Sequence, residues 1–270
     1  MRWAEVPPSV PTRNSNSNNP IRNEETSAPT IKNHSVTHYN GTLYCFGGYD
    51  GRRNHLTLLL YNLERGKWIR PHHLPPDQPF PNSYHHHAAP AGMLNLQDDN
   101  SNGDVNMNII PNNQDGSSLI QDHTIYVAGS PPPGRNGHSA TLAMDEDDED
   151  TARIIIIGGW LGTGPLAASD MHVLDITNGG RHLRWYQPAV KGTPPGPCNM
   201  HSADYIPKRN EVYVFRGGNG REYLNDLHAL HTQSFTWRRV ETTGQIPQQR
   251  ANHSSAMLEE TGELFIFGGW

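Results

Sequence analysis

Histidine is the residue type whose number and spacing most invite a chemical interpretation of this chain. The 270 residues include sixteen histidines, and imidazole is a common metal ligand and a proton donor or acceptor near neutral pH. Three of them are consecutive, His85-His86-His87. Because neighbouring residues of a strand point to opposite faces, these three cannot converge on one zinc ion without other ligands. We therefore expect no metal site there.

Four other histidines share one local sequence, since His34, His138, His201 and His253 are each followed by serine. The last two are 52 residues apart, and the interval from the first to the third is 167 residues, about three such periods. A histidine that recurs at one repeat position is better explained by packing or by a repeated hydrogen bond than by catalysis.

A glycine-rich segment, Gly159 to Gly164, follows four isoleucines and has the composition of a phosphate-binding turn. A nucleotide site of that kind needs a helix directly after the turn, because the N-terminal amides of the helix bind the phosphate. Pro165 and the segment 169–175 instead predict a loop followed by a strand. No HExxH, Walker or GxSxG motif is present in the sequence.

The strands that must position these residues are visible as a repeated unit. Each unit has His-Ser, an apolar run, a glycine doublet, a polar loop and a second apolar run, and three of the units end on tryptophan. The doublets and tryptophans, which we take as the structural residues of the repeat, are Gly47, Gly48, Trp68, Gly158, Gly159, Trp185, Gly217, Gly218, Trp237, Gly268 and Gly269.

This unit resembles the Kelch repeat, in which each repeat forms one four-stranded blade of a β-propeller. The resemblance covers about residues 31–270 and implies an all-β, Kelch-type β-propeller with four to five blades. We place the blades at 31–70, at 79–130 (degenerate, with an insertion), at 135–190, at 197–241 and at 250–270 (incomplete). Since the last unit stops just after its doublet, we interpret the sequence as a fragment of a larger propeller.

The residue choices agree with blade packing. A strand that is buried on both faces is a continuous apolar run, as in Ile154 to Ile157. The glycines end such strands where no Cβ fits. A tryptophan on the outer strand would fill the space between blades, with its indole N–H bound to a partner.

Members of the Kelch family commonly act as scaffolds or as substrate-recognition modules of ubiquitin ligases. The resemblance therefore implies a non-catalytic module that binds a protein partner through loops on one face. Arginine and aromatic residues are the expected anchors of such an interface. The candidate binding residues, taken from the loops around the doublets, are Tyr49, Arg52, Arg53, Arg135, Trp160, Leu161, Arg216, Asn219, Arg221, Tyr223 and Arg250. For Arg135 and Arg250 an equally good alternative is that they connect adjacent blades.

The alternative class is a metal-dependent enzyme or enzyme modifier built on a Kelch propeller. Plant specifier proteins of this fold use a Glu-x3-Asp-x3-His iron motif. Glu222 and Asp226 have the first spacing, but His231 comes one residue late. A copper radical oxidase would need a Cys-Tyr crosslink, and Cys45 and Cys198 are at ordinary repeat positions. We therefore expect neither a cofactor nor a metal.

Composition excludes further classes. The net charge is −6, which argues against binding to a nucleic-acid backbone. No apolar stretch is long enough to span a membrane, and the N-terminus has no signal-peptide core. We expect no small-molecule substrate, and a cytoplasmic or nuclear location.

Several segments do not fit the repeat. Residues 1–30 are interpreted as a strand of a preceding or closing blade followed by a flexible polar insertion. We expect mobility at 14–27, at 97–116 and in the acidic run 145–150, because these segments are poor in apolar residues. The segment Ile125 to Gly129 has two interpretations: a strand before a lost doublet or, as we favour from the spacing to Arg135, an outer strand that leads into the next repeat.

Arg216 departs from the pattern, since the residue before the doublet is Phe46, Ile157 or Phe267 in the other copies. A buried charge needs a partner. We therefore expect Arg216 to pair with a carboxylate, and the alternative is that it faces an acidic ligand.

Overall fold

The computed structural model describes residues 30–75, 77–81, 124–144, 152–258 and 260–270. Within these ranges the chain is all β apart from three short 3-10 turns, as the sequence predicts, and no helix there is long and apolar enough to cross a bilayer. The proposed strand at the N-terminus, the polar segments 14–27 and 97–116 and the acidic run 145–150 lie outside the described residues.

The strands, in chain order, are β1 (Ser35–Tyr39), β2 (Thr42–Phe46), β3 (Leu58–Asn62), β4 (Lys67–Ile69), β5 (His72–His73), β6 (Tyr126–Ala128), β7 (Ser139–Met144), β8 (Ala152–Ile157), β9 (His172–Thr177), β10 (His182–Tyr186), β11 (Lys191–Gly192), β12 (Ser202–Ile206), β13 (Glu211–Phe215), β14 (Leu227–His231), β15 (Thr236–Val240), β16 (Ser254–Leu258) and β17 (Glu263–Phe267). The 3-10 turns are Ala168–Asp170, Asn178–Gly180 and Pro207–Arg209.

The strands form four sheets, which we call the first to fourth blades. The first blade is the antiparallel sheet β1-β2-β3-β4, and the same four-stranded unit recurs as β7 to β10 in the second blade and as β12 to β15 in the third. The fourth blade is the hairpin β16-β17.

The isoleucine run of β8 shows why the strands are continuously apolar. Ile154 and Ile156 pack in one core cluster with Leu60 of the first blade, whereas Ile155 and Ile157 pack in a second cluster with Leu230 of the third blade. Because successive side chains of a strand point to opposite faces, each face of the sheet is buried against a different neighbour. Full burial of one such side chain contributes about 1.5–3 kcal/mol.

The first strands of the blades lie side by side in chain order. Thr37 Oγ1 donates to Ala140 O at 3.0 Å, and Thr141 Oγ1 donates to Ala203 O at 3.1 Å. Just before these strands the backbone N–H groups of Gly137, Met200 and Asn252 donate to the equivalent carbonyl of the preceding blade, at 2.9, 2.7 and 2.9 Å. The blade at 31–70 is therefore directly followed by the blade at 135–190.

The described residues of the predicted degenerate blade at 79–130 form no sheet of their own, and residues 82–123 lie outside the described part of the chain. Strand β6 pairs in parallel with β10 at the outer edge of the second blade, and β5 pairs with β6 beyond it. The third blade has the same addition, since β11 pairs in parallel with β15. The outer edges of β10 and β15 thus accept the chain that leads into the repeat, so the interpretation of 125–129 as an outer strand is confirmed.

Candidate interaction surface

The loops after the glycine doublets begin with the same turn in two blades. In the first blade Asp50 Oδ1 accepts the backbone N–H groups of Arg52 and Arg53, both at 2.8 Å. These two bonds, followed by one from His55, hold the pKa of Asp50 well below its usual range. In the third blade Asn219 Oδ1 accepts the N–H groups of Arg221 and Glu222, both at 2.9 Å.

The turn places arginine at an equivalent position in both loops. A glycine with left-handed φ separates the acceptor from the arginine, Gly51 at +95° and Gly220 at +89°, a conformation that favours glycine. Arg52, Arg53 and Arg221 are exposed. The side-chain acceptor and the glycine together fix loops that present guanidinium groups to solvent.

The loop of the second blade lies between these two and contacts both. Asn54 Nδ2 donates to Trp160 O at 2.8 Å. On the other side a Cβ added to Gly220 would lie 3.0 Å from Pro165 Cδ and 3.8 Å from the Trp160 ring. We call the three adjoining loops, residues 49–56, 160–167 and 218–225, the doublet-loop surface.

Aromatic and apolar groups complete the doublet-loop surface. Trp160 and Leu161 are half-buried at its centre, and Tyr49 lies under the Lys32 ammonium group, which is 5.8 Å from the ring centroid. Tyr223 is 43% exposed and its hydroxyl accepts a hydrogen bond from Trp270 Nε1 at 2.7 Å. Trp270, which the sequence reasoning did not select, lines a 530 Å³ cavity with Arg221 and Tyr223.

Arg135 does not belong to this surface, because its side chain is fully buried. Its guanidinium donates to Gly158 O at 3.0 Å and to Asp170 Oδ2 at 2.8 Å. The predicted binding role is therefore wrong, and Gly158 and Asp170 belong to the second blade, as Arg135 does. Adjacent blades are joined instead by its backbone carbonyl, which accepts the N–H of Gly48 at 2.8 Å.

Arg250 repeats this arrangement. Its Nη1 donates to Gly268 O at 2.7 Å and its Nε donates to Gln248 O at 3.1 Å. These carbonyls correspond to those that bind Arg135, which donates from Nε to Pro133 O at 3.2 Å. The contacts assign Arg250 to the fourth blade's own entry loop.

Arg216 pairs with Asp226 at 3.1 Å, which confirms the expected carboxylate pairing, and it also donates to Pro197 O at 3.2 Å. Burial alone would raise the pKa of Asp226, but the hydrogen bond with His228 and the charge of Arg216 outweigh this and lower the pKa to about 2. Arg216 is thus engaged within its own blade rather than presented to a ligand.

The strand register corrects the sequence alignment at Arg216. Ser202 pairs with Phe215 as Ser35 pairs with Phe46 and Ser139 with Ile157. Phe215 is therefore the residue equivalent to Phe46 and Ile157, and Arg216 stands where the other blades have the first glycine of the doublet. The glycine pair of the third blade is shifted by one residue, which a comparison of doublets alone cannot detect.

The second and third blades each pair a carboxylate at the same repeat position with an arginine, but the arginine comes from a different repeat position in each. In the second blade Arg135 bonds Asp170, whereas in the third blade Cys198 replaces that arginine and Arg216 bonds Asp226. The first blade has Ile31, Gly47 and Thr57 at the three positions. In these three blades the two charges are present together or absent together, as expected if a charge removed from water needs its partner.

Three of the four recurring histidines form hydrogen bonds between blades. The Nε2 atoms of His138, His201 and His253 lie 2.8, 2.9 and 3.0 Å from the hydroxyls of Ser35, Ser139 and Ser202, respectively. Burial lowers the pKa of His138 to about 3 and that of His201 to about 4. The imidazoles are therefore neutral structural groups, as their recurrence predicts.

The structural repeat residues are placed largely as expected. Trp185 and Trp237 are 3% and 2% exposed, whereas Trp68 is half-buried. Neither buried indole N–H finds a protein acceptor in the described part of the chain, contrary to the expected partner. Gly158, at φ +63°, could not carry a Cβ, which would lie 2.4 Å from Cys198 O.

The residues considered for metal chemistry lie apart. Asp226 precedes β14 and His231 ends it, a distance of about 16 Å for an extended strand. Cys45 and Cys198 are buried thiols whose pKa burial raises to about 11 and about 12. Within the described ranges no three His, Cys, Asp or Glu side chains are grouped to hold a metal ion, and His85 to His87 lie outside those ranges.

The described blades are four-stranded sheets whose first strands lie side by side, and their loops lie together beside the doublets. This architecture defines the class of protein as a β-propeller. The chain belongs to the Kelch-repeat family: residues 149–270 match the KLHDC2/KLHL20/DRC7 Kelch-repeats domain, and residues 31–71 match the Kelch motif. Kelch-repeat domains are typically non-catalytic modules for protein interaction.

Three relatives show how far the similarity extends. The chain is 28% identical to human Host cell factor 2 over 53% of its length, 28% identical to the Xenopus laevis Rab9 effector protein with kelch motifs over 54%, and 26% identical to the Drosophila melanogaster Leucine-zipper-like transcriptional regulator 1 homolog over 87%. It spans 18%, 38% and 24% of the lengths of these proteins, respectively.

Proposed function

We propose that the chain is a non-catalytic recognition module that binds a partner protein through the doublet-loop surface. The observation that carries the proposal is the continuity of the three loops, which are held together by Asn54, Trp160 and Gly220 and fixed by two side-chain-capped turns. A rigid scaffold that gathers loops on one face is the usual basis of a binding site.

The side chains that these loops expose support a protein partner. Arg52, Arg221 and Tyr223 are exposed and Leu161 is half-exposed, and arginine and aromatic residues are enriched among the anchors of protein interfaces. The name of the Rab9 effector relative describes a protein that acts with another protein. In a ubiquitin ligase, the same surface would recognise the protein to be modified, and in the cytoplasm or nucleus it would meet such partners.

Affinity purification of the protein from cell extract tests the proposal. Leu161→Asp places a charge at the centre of the surface, while Leu63→Asp makes the same change in the β3–β4 turn at the opposite end of the first blade, where Leu63 is exposed. We expect Leu161→Asp to reduce the recovery of specific partners by about tenfold or more and Leu63→Asp to leave it unchanged.

Thermal unfolding of both variants serves as the control for folding. Equal recovery of all partners by the two variants, with equal stability, would contradict the proposal. If the bound protein is a ubiquitin-ligase substrate, its half-life in cells should lengthen when Leu161→Asp replaces the wild-type chain.

A further inference from the structure

The carboxylates in and beside the doublet-loop surface already have hydrogen-bond or ion-pair partners. Asp50 Oδ1 accepts two backbone N–H groups and its Oδ2 lies 2.8 Å from His55 Nε2. Asp170 pairs with the buried Arg135 at 2.8 Å, and Asp226 pairs with Arg216 at 3.1 Å. Glu222 Oε1 accepts a hydrogen bond from Asn219 Nδ2 at 3.3 Å.

The cations of the same surface outnumber its carboxylates, since Arg52, Arg53, Arg221 and the adjacent Lys32 stand against Asp50 and Glu222. The guanidinium groups of Arg52 and Arg221 have no carboxylate partner within the described residues, and the Arg53 side chain is 78% exposed with only a 4.0 Å contact to Asp50. Lys32 is exposed and contacts the Tyr49 ring. The surface therefore carries a local positive charge on a chain whose net charge is −6.

The cations are also distributed in an ordered way. Arg52 and Arg221 occupy equivalent turn positions in the first and third blades, and the uncharged loop with Trp160 and Leu161 lies between them. Hydrogen bonds and packing hold the three loops in contact. An extended ligand that crosses this surface meets a guanidinium, an apolar patch and a second guanidinium in succession.

From this order we infer that the partner presents a linear segment with acidic residues at both ends and an apolar residue between them. The inference rests on the proposed function and specifies its partner. Carboxylates would pair with Arg52 and Arg221, for which guanidinium geometry allows two parallel hydrogen bonds, and the apolar residue would pack on Trp160 and Leu161.

A nucleic acid is the other polyanion to consider. Affinity for a phosphate backbone depends on many clustered lysine and arginine contacts, and here the exposed cations are few and separated by an uncharged loop. Charge complementarity with an acidic peptide accounts for that spacing, whereas a phosphate backbone does not require it.

Selection from a displayed library of random 16-residue peptides tests the inference. The targets are the wild-type protein, the double variant Arg52→Glu, Arg221→Glu and the control double variant Arg65→Glu, Lys208→Glu. The control changes two exposed residues of the same two blades, in the turns at the opposite end, and alters the net charge equally. Selected peptides are then labelled with fluorescein and their affinities are measured at two salt concentrations.

We expect the wild type and the control to select peptides enriched in Asp and Glu on either side of an apolar residue. We expect the Arg52→Glu, Arg221→Glu variant to bind them about tenfold or more weakly, and we expect added salt to weaken wild-type binding. A lack of acidic enrichment, equal binding by both variants, or a failure to enrich any peptide would overturn the inference.

Two further outcomes are distinguishable. Neutral peptides whose binding is lost in Leu161→Asp but not in Arg52→Glu, Arg221→Glu would overturn the acidic partner while leaving the proposed function intact. A fluorescein-labelled 20-nucleotide RNA that binds more tightly than the selected peptides, with the same dependence on Arg52 and Arg221, would assign the surface to nucleic acid instead.

Discussion

At the scale of single residues, the ion-paired arginines show that the repeat keeps a contact rather than a residue. Arg135 and Arg216 come from different positions and reach equivalent carboxylates, Asp170 and Asp226. A guanidinium is rigid and always charged, so it can satisfy a buried carboxylate from more than one direction.

This equivalence can be tested by moving the arginine of the third blade to the position used in the second. Arg216→Gly should cost about 2–4 kcal/mol in the free energy of unfolding, because it leaves Asp226 without its cation. Cys198→Arg alone should also destabilise, since it adds a second guanidinium to a filled site. The double variant Cys198→Arg, Arg216→Gly should recover most of the loss, because it recreates the arrangement of Arg135.

Urea denaturation at pH 7.5 measures the three free energies. A double variant whose loss equals the sum of the two single losses would show that the positions are not interchangeable.

The inter-blade histidines predict a specific loss of stability in acid. His138, His201 and His253 are neutral in the folded state because burial lowers their pKa, whereas in the unfolded chain each takes up a proton near pH 6.5. Stability is therefore complete above about pH 6.5 and falls as the pH drops towards the folded-state pKa, about 4 for His201. His138 and His201 each contribute a loss of roughly 1.4 kcal/mol per pH unit in that window.

The variant His201→Gln removes one of the titrating groups and can still bond Ser139. Between pH 7.5 and pH 5.5, urea midpoints of the variant should fall less than those of the wild type. An identical fall would assign the acid sensitivity to other groups.

At the scale of the elements, two glycines allow β6 and β11 to approach the tryptophan-bearing strands β10 and β15 closely. Gly129 and Gly192 have φ values of +79° and +78°, and an added Cβ would lie 2.1 Å from Trp185 O and 2.0 Å from Trp237 O. Gly244 has nearly the same φ, +80°, but has no atom within 4 Å of an added Cβ.

Substitution by alanine separates backbone strain from packing at these positions. Gly244→Ala should cost about 1–2 kcal/mol, the cost of a left-handed conformation. Gly192→Ala should cost about 1–3 kcal/mol more, because β11 must move away from β15. Urea unfolding gives both values, and equal losses would show that the close approach to Trp237 does not hold β11 in place.

The elements also show how far the sequence predicts this structure. The apolar run, doublet and second run identify strands β2, β8, β13 and β17 because strands buried on both faces leave a strong local pattern. Strands β5, β6 and β11 are two or three residues long and are fixed by pairing with a remote strand. The spacing of 125–129 to Arg135 indicated β6, whereas no local pattern indicates the pairing of β5 or β11.

The loops of the candidate site could be predicted from local sequence pattern, but the burial and long-range contacts of their residues could not. Loop residues follow from the doublets, so Arg52, Arg221 and Tyr223 were found from sequence and are exposed. Arg135 is of a residue type that often anchors protein interfaces. Only the structure shows that it is buried and bonded to Gly158 and Asp170. Trp270 joins the candidate surface through its hydrogen bond to Tyr223, which is 47 residues away in sequence.

At the scale of the whole molecule, the blades form the frame and, in the proposed function, one set of loops binds the partner. The cores between blades are made of aliphatic, aromatic and other apolar side chains, and the ion pairs of Arg135 and Arg216 lie within single blades. Cations without buried partners remain on the doublet-loop surface. We therefore assign stability to the blades and propose the three loops for recognition.

Site-specific photo-crosslinking tests this central claim most directly. A p-benzoylphenylalanine at position 161 lies in the doublet-loop surface, and the same residue at position 63 lies in the turn at the opposite end of a blade. After irradiation in cells, position 161 should form a crosslink to a discrete partner protein that Arg52→Glu, Arg221→Glu abolishes, and position 63 should not. A partner captured from position 63 and not from position 161 would contradict the account.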